Sequence, residues 1–182
     1  MSLPIYDCAR MEAQEKENIL RDLQSGRSEL LVALSGMNDT LATRTPSHGK
    51  WSVLECVEHL AISEAYLLSQ ICSSQHSDAP LLNRQREALL VARGSDRTIA
   101  ISAPEVALPI GRFPTLSDAL KHFLESRERT ITFVEQNTHD LRLQRTSHPL
   151  IGDVNCYELL LMIAVHLRRH VKQIEEIRSV IN

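Results

Sequence analysis

Aromatic residues are scarce in this sequence of 182 residues. Phenylalanine, tyrosine and tryptophan together make up 4% of it, and Trp51 is the one tryptophan. Hydrophobic residues amount to 43%, mainly leucine, isoleucine, valine and alanine. β-Sandwiches use more aromatic and β-branched residues, so this balance favours helices packed against one another. The length is enough for one domain with a sizeable core, and we expect residues 1–182 to form a single domain.

A strong charge of either sign is also missing. The formal net charge is −3, which gives no general attraction to nucleic acid or to an anionic membrane, so we expect neither as a partner. No apolar run approaches the roughly 20 residues that span a bilayer. Charged residues follow the first few positions where a secretion signal would have an apolar stretch. These absences predict a cytoplasmic protein.

The four cysteines, Cys8, Cys56, Cys72 and Cys156, are widely spaced and form no C-x-x-C pair. Cys56 and Cys156 lie within apolar helical patterns. Free cysteines of this kind behave as small hydrophobic residues, and disulfides are rare in reducing compartments. We therefore interpret the cysteines as reduced, with these two in the core.

Four amphipathic patterns predict the long helices of an all-α, four-helix bundle. In each of them apolar residues recur at steps of three and four. The helices are expected at about residues 13–41, 52–74, 115–137 and 155–182. Ser52 with Glu55, and Asn155 with Glu158, have the spacing of capping residues at a helix start. The segment 139–153, which contains a proline and a glycine, is expected to be a loop.

The stretch of residues 76–114 is the least regular part of the sequence. Its last part, residues 98–114, contains three prolines, and a short helix is expected over residues 81–93. A connection of this length allows two consecutive helices to run parallel, because the chain has to return along the whole bundle. A long connection is also a natural place for a loop that contacts a substrate.

Two histidines occupy core-facing positions of the last helix. His166 and His170 continue an aliphatic stripe formed by Cys156, Leu159, Ile163, Ile174 and Ile177. Burying a polar side chain without a partner costs roughly 1–3 kcal/mol, so two of them need a reason. Their i, i+4 spacing places both rings on one side of the helix, where they can bind a single metal ion. The alternative is a basic helix whose histidines are partly exposed.

A third ligand should come from another helix, and His59 is the candidate. It flanks the apolar stripe of the second helix, close to Cys56 and Ser63. By helix geometry alone, His59 could equally be a boundary residue that is bonded to a carboxylate. The remaining five histidines are expected to be solvated: His48, His76, His122, His139 and His148.

Candidates for a general base are weak, and the sequence identifies no catalytic residue. Glu55 lies one turn before His59 and could orient a ligand, but its capping position explains it better. Glu58 and Glu64 are expected to be solvated. Trp51 is interpreted as a plug at the end of the bundle. Cys56 and Ser63 could lie beside the site, with Cys56 as an inert thiol.

Two segments carry a resemblance to a known family. Residues 49–64, GKWSVLECVEHLAISE, resemble the second-helix signature of the DinB/YfiT-like metalloenzymes, and residues 166–174, HLRRHVKQI, resemble their fourth-helix signature. The resemblance extends over nearly the whole chain. It implies an up-down-down-up topology with a long connection between helices 2 and 3. It further implies a homodimer and a divalent metal ion, zinc or nickel, held by His59, His166 and His170.

The resemblance does not imply a single reaction, because relatives include transferases that use low-molecular-weight thiols. Three neutral ligands leave a metal ion its charge and an open position, at which a bound water can reach a pKa of about 7 or a thiolate can bind. We therefore expect a hydrolase or a thiol transferase acting on a small-molecule substrate. The alternative is a non-catalytic, stress-related protein that binds a metal or a small ligand.

Overall fold

The protein is described here by a computed structural model that covers residues 11–181. The predictions for Cys8 and for a secretion signal concern the first ten residues, which lie outside this range. The helices are α1 (Ala13–Ala33), α2 (Asp39–Ala42), α3 (Val53–Cys72), α4 (Arg84–Gly94), α5 (Leu116–Gln136) and α6 (Cys156–Ile181). The strands are β1 (Gln75–His76), β2 (Gln144–His148) and β3 (Gly152–Asn155), and a 3₁₀ turn covers Glu105–Ala107. The four long helices confirm the predicted all-α four-helix bundle.

Both predicted capping arrangements are present. At the start of α3, the backbone N–H of Glu55 donates to Ser52 Oγ at 3.2 Å, and the backbone N–H of Ser52 donates to Glu55 Oε2 at 2.7 Å. At the start of α6, the backbone N–H of Glu158 donates to Asn155 Oδ1 at 2.8 Å, and Asn155 N–H donates to Glu158 Oε2 at 3.1 Å. Each pair satisfies two backbone donors that the first turn leaves free.

The first helix is shorter than predicted. It ends at Ala33 rather than near Leu41, because the chain turns at Gly36, whose φ is +74°. Glycine adopts this left-handed conformation without the steric cost that other residues incur. The side chain of Asn38 then accepts the backbone N–H of Leu41 and begins the separate helix α2.

Side-chain contacts between the helices give their relative directions. These contacts are Asp22–Arg168 and Ala33–Arg178 between α1 and α6, Lys16–Glu135 and Leu23–Arg127 between α1 and α5, and His59–His166 and Ile71–Cys156 between α3 and α6. Residue numbers rise together in the first pair, so α1 and α6 run in the same direction. They change in opposite senses in the other two pairs, so α3 and α5 run the other way.

A small antiparallel sheet lies where the sequence predicted a loop. Strands β2 and β3 form a hairpin within residues 144–155, and β1 pairs with the outer edge of β2, which gives the order β1-β2-β3. The strands are two to five residues long. Their sequences, QH, QRTSH and GDVN, lack the alternation of apolar and polar residues that identifies a strand. The prediction that residues 139–153 form a loop was therefore wrong for the two strands of the hairpin.

The core consists of two apolar clusters along the bundle. Cys56 belongs to one cluster and Cys156 to the other, and both are fully buried, as predicted, whereas Cys72 is exposed. Within residues 11–181, no helix is both long enough and apolar enough to cross a membrane. Helix α4 packs closely against α6 at Gly94, where an added Cβ would overlap the side chain of Val165. This contact brings the long connection onto the half of the bundle that carries His166 and His170.

Candidate metal centre

The structure brings His59, His166 and His170 together between α3 and α6. One ring nitrogen from each residue lies within 4.8 Å of the other two. The Nε2 atom of His166 is 3.1 Å from Nε2 of His59 and 2.9 Å from Nε2 of His170. His59 and His170 are buried, whereas His166 is partly exposed. The three Nε2 atoms thus converge on one point at the interface of the two helices.

The opposite nitrogens of two of these rings are fixed by hydrogen bonds. His59 Nδ1 lies 2.7 Å from the carbonyl oxygen of Ala107, and His170 Nδ1 lies 2.9 Å from Oε1 of Gln173. Arg97 donates to the same Oε1 at 3.2 Å, which is consistent with an oxygen at that position because a guanidinium only donates. A carbonyl oxygen only accepts, so each Nδ1 carries the hydrogen, and each neutral ring presents an unprotonated Nε2.

This arrangement leaves nitrogen lone pairs facing one another. A hydrogen on His166 Nε2 can serve only one of its two contacts, so at least one pair of nitrogens lacks a hydrogen bond. Protonation does not relieve this, because burial, followed by the neighbouring histidines, holds the pKa values of His166 and His170 well below 6.5. Nitrogens that share a tetrahedral zinc ion with bonds of about 2.0–2.1 Å lie about 3.3–3.4 Å apart. The donor set and its spacing therefore fit a divalent transition metal.

The residues expected beside the site behave differently from one another. Ser63 Oγ lies 3.4 Å from both ring nitrogens of His59. Glu55 instead forms the cap of α3. Cys56 packs in the apolar core, where burial raises its pKa to about 12, so it is a neutral thiol at pH 7. Of these three residues, Ser63 is the one whose side chain has a hydrogen-bonding distance to a ring of the cluster.

Trp51 lies beside the histidines. Its ring centroid is 4.9 Å from that of His59 and 6.2 Å from that of His170, and the Trp51 and His170 rings are nearly parallel at 18°. Packing against two of the three rings limits their movement. The interpretation of Trp51 as a plug at the end of the bundle was incomplete, because its ring also lies against two rings of the histidine cluster.

Glu58 is buried rather than solvated, with 1% of its surface exposed. Its carboxylate accepts the backbone N–H groups of Ile110, Gly111 and Arg112 at 2.9, 3.1 and 3.2 Å, and Arg112 Nη1 donates to it at 2.9 Å. Burial alone would raise the pKa of Glu58, but these donors bring it below 4.5. The prediction failed because all the partners lie more than fifty residues away in the sequence.

Glu64 is also buried, contrary to the prediction, and pairs with Arg127 of α5. Arg127 Nη2 donates to Glu64 Oε2 at 2.7 Å, and both side chains are almost inaccessible. Burial raises the pKa of Glu64, although the nearby Arg127 opposes this shift.

Comparison with known proteins identifies the family. The family model of the DinB superfamily matches residues 22–174. The chain belongs to the DinB superfamily. This confirms the resemblance inferred from residues 49–64 and 166–174.

Similar proteins are known for this DinB superfamily member. It is 24% identical over 153 residues to the uncharacterized protein YuaE of Bacillus subtilis. This match covers 84% of this chain and 93% of YuaE. YfiT of Bacillus subtilis, described as a probable metal-dependent hydrolase with an unusual four-helix bundle topology, has a TM-score of 0.61 and 16% identity. That match covers 92% of this chain and 88% of YfiT, and it shows the shared fold. TT2238, described as a four-helix bundle protein, has a TM-score of 0.46 and 22% identity, over 88% of this chain and 98% of TT2238.

Among the other histidines of this DinB superfamily member, His148 differs from expectation. It is 6% exposed, and its Nδ1 accepts the backbone N–H of Leu150 at 3.2 Å in the turn that follows β2. Burial lowers its pKa. The prediction of a solvated side chain was wrong because the hairpin was not predicted. Four histidines are exposed, as predicted: His48, His76, His122 and His139.

Three groups that hold the histidine rings were not recognised in the sequence. The carbonyl oxygen of Ala107 has no side-chain signature, and Arg97 acts through Gln173 from a segment with no regular pattern. The contact of Gln173 with His170 could have been predicted from the sequence. The two residues are three positions apart on one helix, and residues at that spacing are neighbours.

Proposed function

We propose that this protein binds one divalent transition metal ion through His59, His166 and His170 and is a metal-dependent enzyme that hydrolyses a small molecule. The observation that carries the proposal is the convergence of three Nε2 atoms, with two of the rings held by hydrogen bonds at Nδ1. The description of YfiT, which shares the fold, as a probable metal-dependent hydrolase supports the reaction class.

The ligand set suits catalysis better than a closed structural site. Structural zinc sites commonly use four protein ligands, often thiolates, whereas catalytic sites use three and keep one position open. When bound, a divalent ion supplies Lewis-acid chemistry, polarising an oxygen or sulfur atom and lowering its pKa. Because the imidazoles are neutral, they leave the positive charge of the ion uncompensated.

The residues of the chain orient and shield the ligands. Ala107 and Gln173 accept from Nδ1 of His59 and His170, which directs each Nε2 toward the shared point. Trp51 covers the rings of the same two histidines. His166 is the partly exposed member of the three, so we propose that a small molecule approaches from its side.

The metal, the co-substrate, the oligomeric state and the location remain predictions. Imidazole ligands accept several transition metals, so zinc or nickel is the expected occupant on the basis of the family resemblance. We also expect a low-molecular-weight thiol as a possible co-substrate, a homodimer and a cytoplasmic location, as the sequence and the family resemblance predicted.

An activity screen tests the reaction class. Metal-loaded and chelator-treated protein are compared on a panel of small esters and amides, and in parallel on transfer to several cellular thiols. We expect turnover that disappears with the chelator, returns with added metal and is lost in His170→Ala. Hydrolysis that is equal in loaded and metal-free protein would contradict a metal-dependent hydrolase, and turnover confined to the thiol assays would assign the alternative reaction.

A further inference from the structure

Residues 95–112, here called the overlying segment, cross the histidine cluster from α6 to α3. At the α6 end, Arg169 donates to the carbonyl oxygens of Asp96 and Ile99. The distance from Arg169 Nη2 to the Ile99 oxygen is 2.7 Å. Arg97 pairs with Glu176 at 2.7 Å and donates to the side chain that holds His170. The first half of the overlying segment is thus fixed to the helix that carries two of the histidines.

At the α3 end, two consecutive residues hold the second half of the overlying segment. His59 donates from Nδ1 to the carbonyl oxygen of Ala107 at 2.7 Å. Glu58 accepts the three successive backbone N–H groups of residues 110–112 at 2.9–3.2 Å. Arg112 Nη1 donates both to Glu58 and to the carbonyl oxygen of Leu108, at 2.9 and 2.7 Å. The chain between Ala107 and Arg112 is therefore tied at both ends to adjacent positions of α3.

The local conformation explains why a carboxylate is needed at Glu58. Gly111 has a φ of +76°, and successive N–H groups in a turn of this kind point into one concavity that favours an anion. The oxygens of Glu58 receive four donors there, although only 1% of the residue is exposed. Hydrogen bonds to an ionised group are about twice as strong as neutral ones, so this anchor is stronger than the single contact at Ala107.

We propose that Glu58 is a positioning residue for the metal site. By holding the backbone of residues 110–112, it fixes the carbonyl oxygen of Ala107, which in turn sets the orientation and the tautomer of His59. The inference rests on the proposed metal binding by His59, His166 and His170. It assigns to Glu58 a role in metal affinity that is separate from its role in folding.

Glu58→Gln is the direct test, with Glu87→Gln as the matched control. Gln keeps the shape of Glu58 but places an NH2 group against backbone donors. Glu87 is likewise a buried acceptor, of Arg142 at 2.9 Å, in a different network. Affinity for Zn²⁺ is measured by competition with a chelator, and exchange of the amides of residues 110–112 by hydrogen–deuterium exchange. Loss of a group that orients a metal ligand commonly lowers affinity about 10–100-fold.

We expect Glu58→Gln to accelerate exchange at residues 110–112 and to weaken Zn²⁺ binding about 10–100-fold, while Glu87→Gln binds as tightly as the wild type. Faster exchange with unchanged affinity would overturn the inference, and so would equal losses of affinity in both variants, since these would reflect general destabilisation. Unchanged exchange at residues 110–112 would overturn it too. Wild-type protein that binds no Zn²⁺ would reject the proposed function itself.

A second pair of variants keeps the test available if Glu58→Gln fails to fold. Gly111→Val strains the turn from the exposed side, because a β-branched residue rarely adopts a positive φ. Gly36→Val imposes the same strain at a φ of +74° in the turn after α1, and an added Cβ has open space at both positions. We expect weaker Zn²⁺ binding in Gly111→Val alone. Equal affinities in these two variants would overturn the inference.

Discussion

The buried ion pair of Glu64 and Arg127 offers a quantitative test of how this bundle is held together. The pair joins α3 to α5 with a 2.7 Å contact, and the two side chains are 4% and 1% exposed. Glu64 Oε1 and Arg127 Nε find no hydrogen-bond partner among residues 11–181. The cost of desolvating the two charges is therefore only partly offset by their contact. Such a pair affects stability most when one of its members is removed, because the other charge is then left buried without a partner.

Arg127→Met leaves the carboxyl group of Glu64 buried without its cation. Breaking a buried pair in this way costs about 3–5 kcal/mol. For a chain of this size, 1 kcal/mol corresponds to roughly 2–4 °C in Tm, so we expect Tm to fall by about 6–20 °C. The double variant Glu64→Leu/Arg127→Met removes both charges and should be close to the wild type, because replacing a buried pair by apolar residues is often neutral or stabilising.

The measurement is urea unfolding of metal-free protein, followed by circular dichroism at several pH values. Burial already raises the pKa of Glu64, and loss of the cation raises it further. The folded variant then binds a proton more readily than the unfolded chain, so the deficit of Arg127→Met should be smallest at low pH. It should grow as the pH rises through the folded pKa of Glu64 in the wild type, which burial already raises, and level off above the higher pKa of the variant. An Arg127→Met variant within about 1 kcal/mol of the wild type at pH 7 would refute the reasoning.

Two further changes test local features of the fold. Glu55→Gln should lower the free energy of unfolding by about 0.5–1 kcal/mol, because it weakens the reciprocal cap with Ser52, and should leave the metal content unchanged; loss of metal would contradict the assignment of Glu55 as a cap. Burial tends to raise the pKa of Glu15, but hydrogen bonds from Arg142 and Arg84 lower it from 4.5 to about 2. The folded state therefore stays ionised where the unfolded chain is protonated, and this stability is lost as the pH falls from about 5 towards 2. In Glu15→Gln, the free energy of unfolding, measured in urea, should decline less over that pH range. The same decline as in the wild type would contradict a contribution of ionised Glu15 to stability.

The features that sequence predicted well are local ones. The starts of α3 and α6 follow from Ser52, Glu55, Asn155 and Glu158, because a capping box is formed by residues three positions apart. The helices follow from the spacing of their apolar residues. His166 and His170 could be predicted as metal ligands because they interrupt an aliphatic stripe. Their separation is fixed by the geometry of the helix that carries both.

The features that sequence predicted poorly depend on distant partners. Glu58 was expected in solvent. The backbone N–H groups that donate to its carboxylate belong to residues 110–112, an irregular segment with no sequence pattern of its own. Glu64 was misassigned because its cation, Arg127, is 63 positions away. His148 was misassigned because the polar hairpin that buries it gives no strand signal. His59 was proposed mainly from the family resemblance, and its partner Ala107 contributes only a backbone oxygen.

Metal stoichiometry tests the central claim most directly. Purified wild-type protein and the variants His59→Ala, His166→Ala and His170→Ala are analysed for transition metals, with His122→Ala as an exposed control outside the cluster. Zn²⁺ or Ni²⁺ is then titrated into chelator-treated protein, with the fluorescence of Trp51 as the signal because its ring lies 4.9 Å from that of His59. We expect about one equivalent of metal in the wild type and in His122→Ala, and loss of most of it in each of the other three variants. Full metal content in His170→Ala would contradict the proposed metal site.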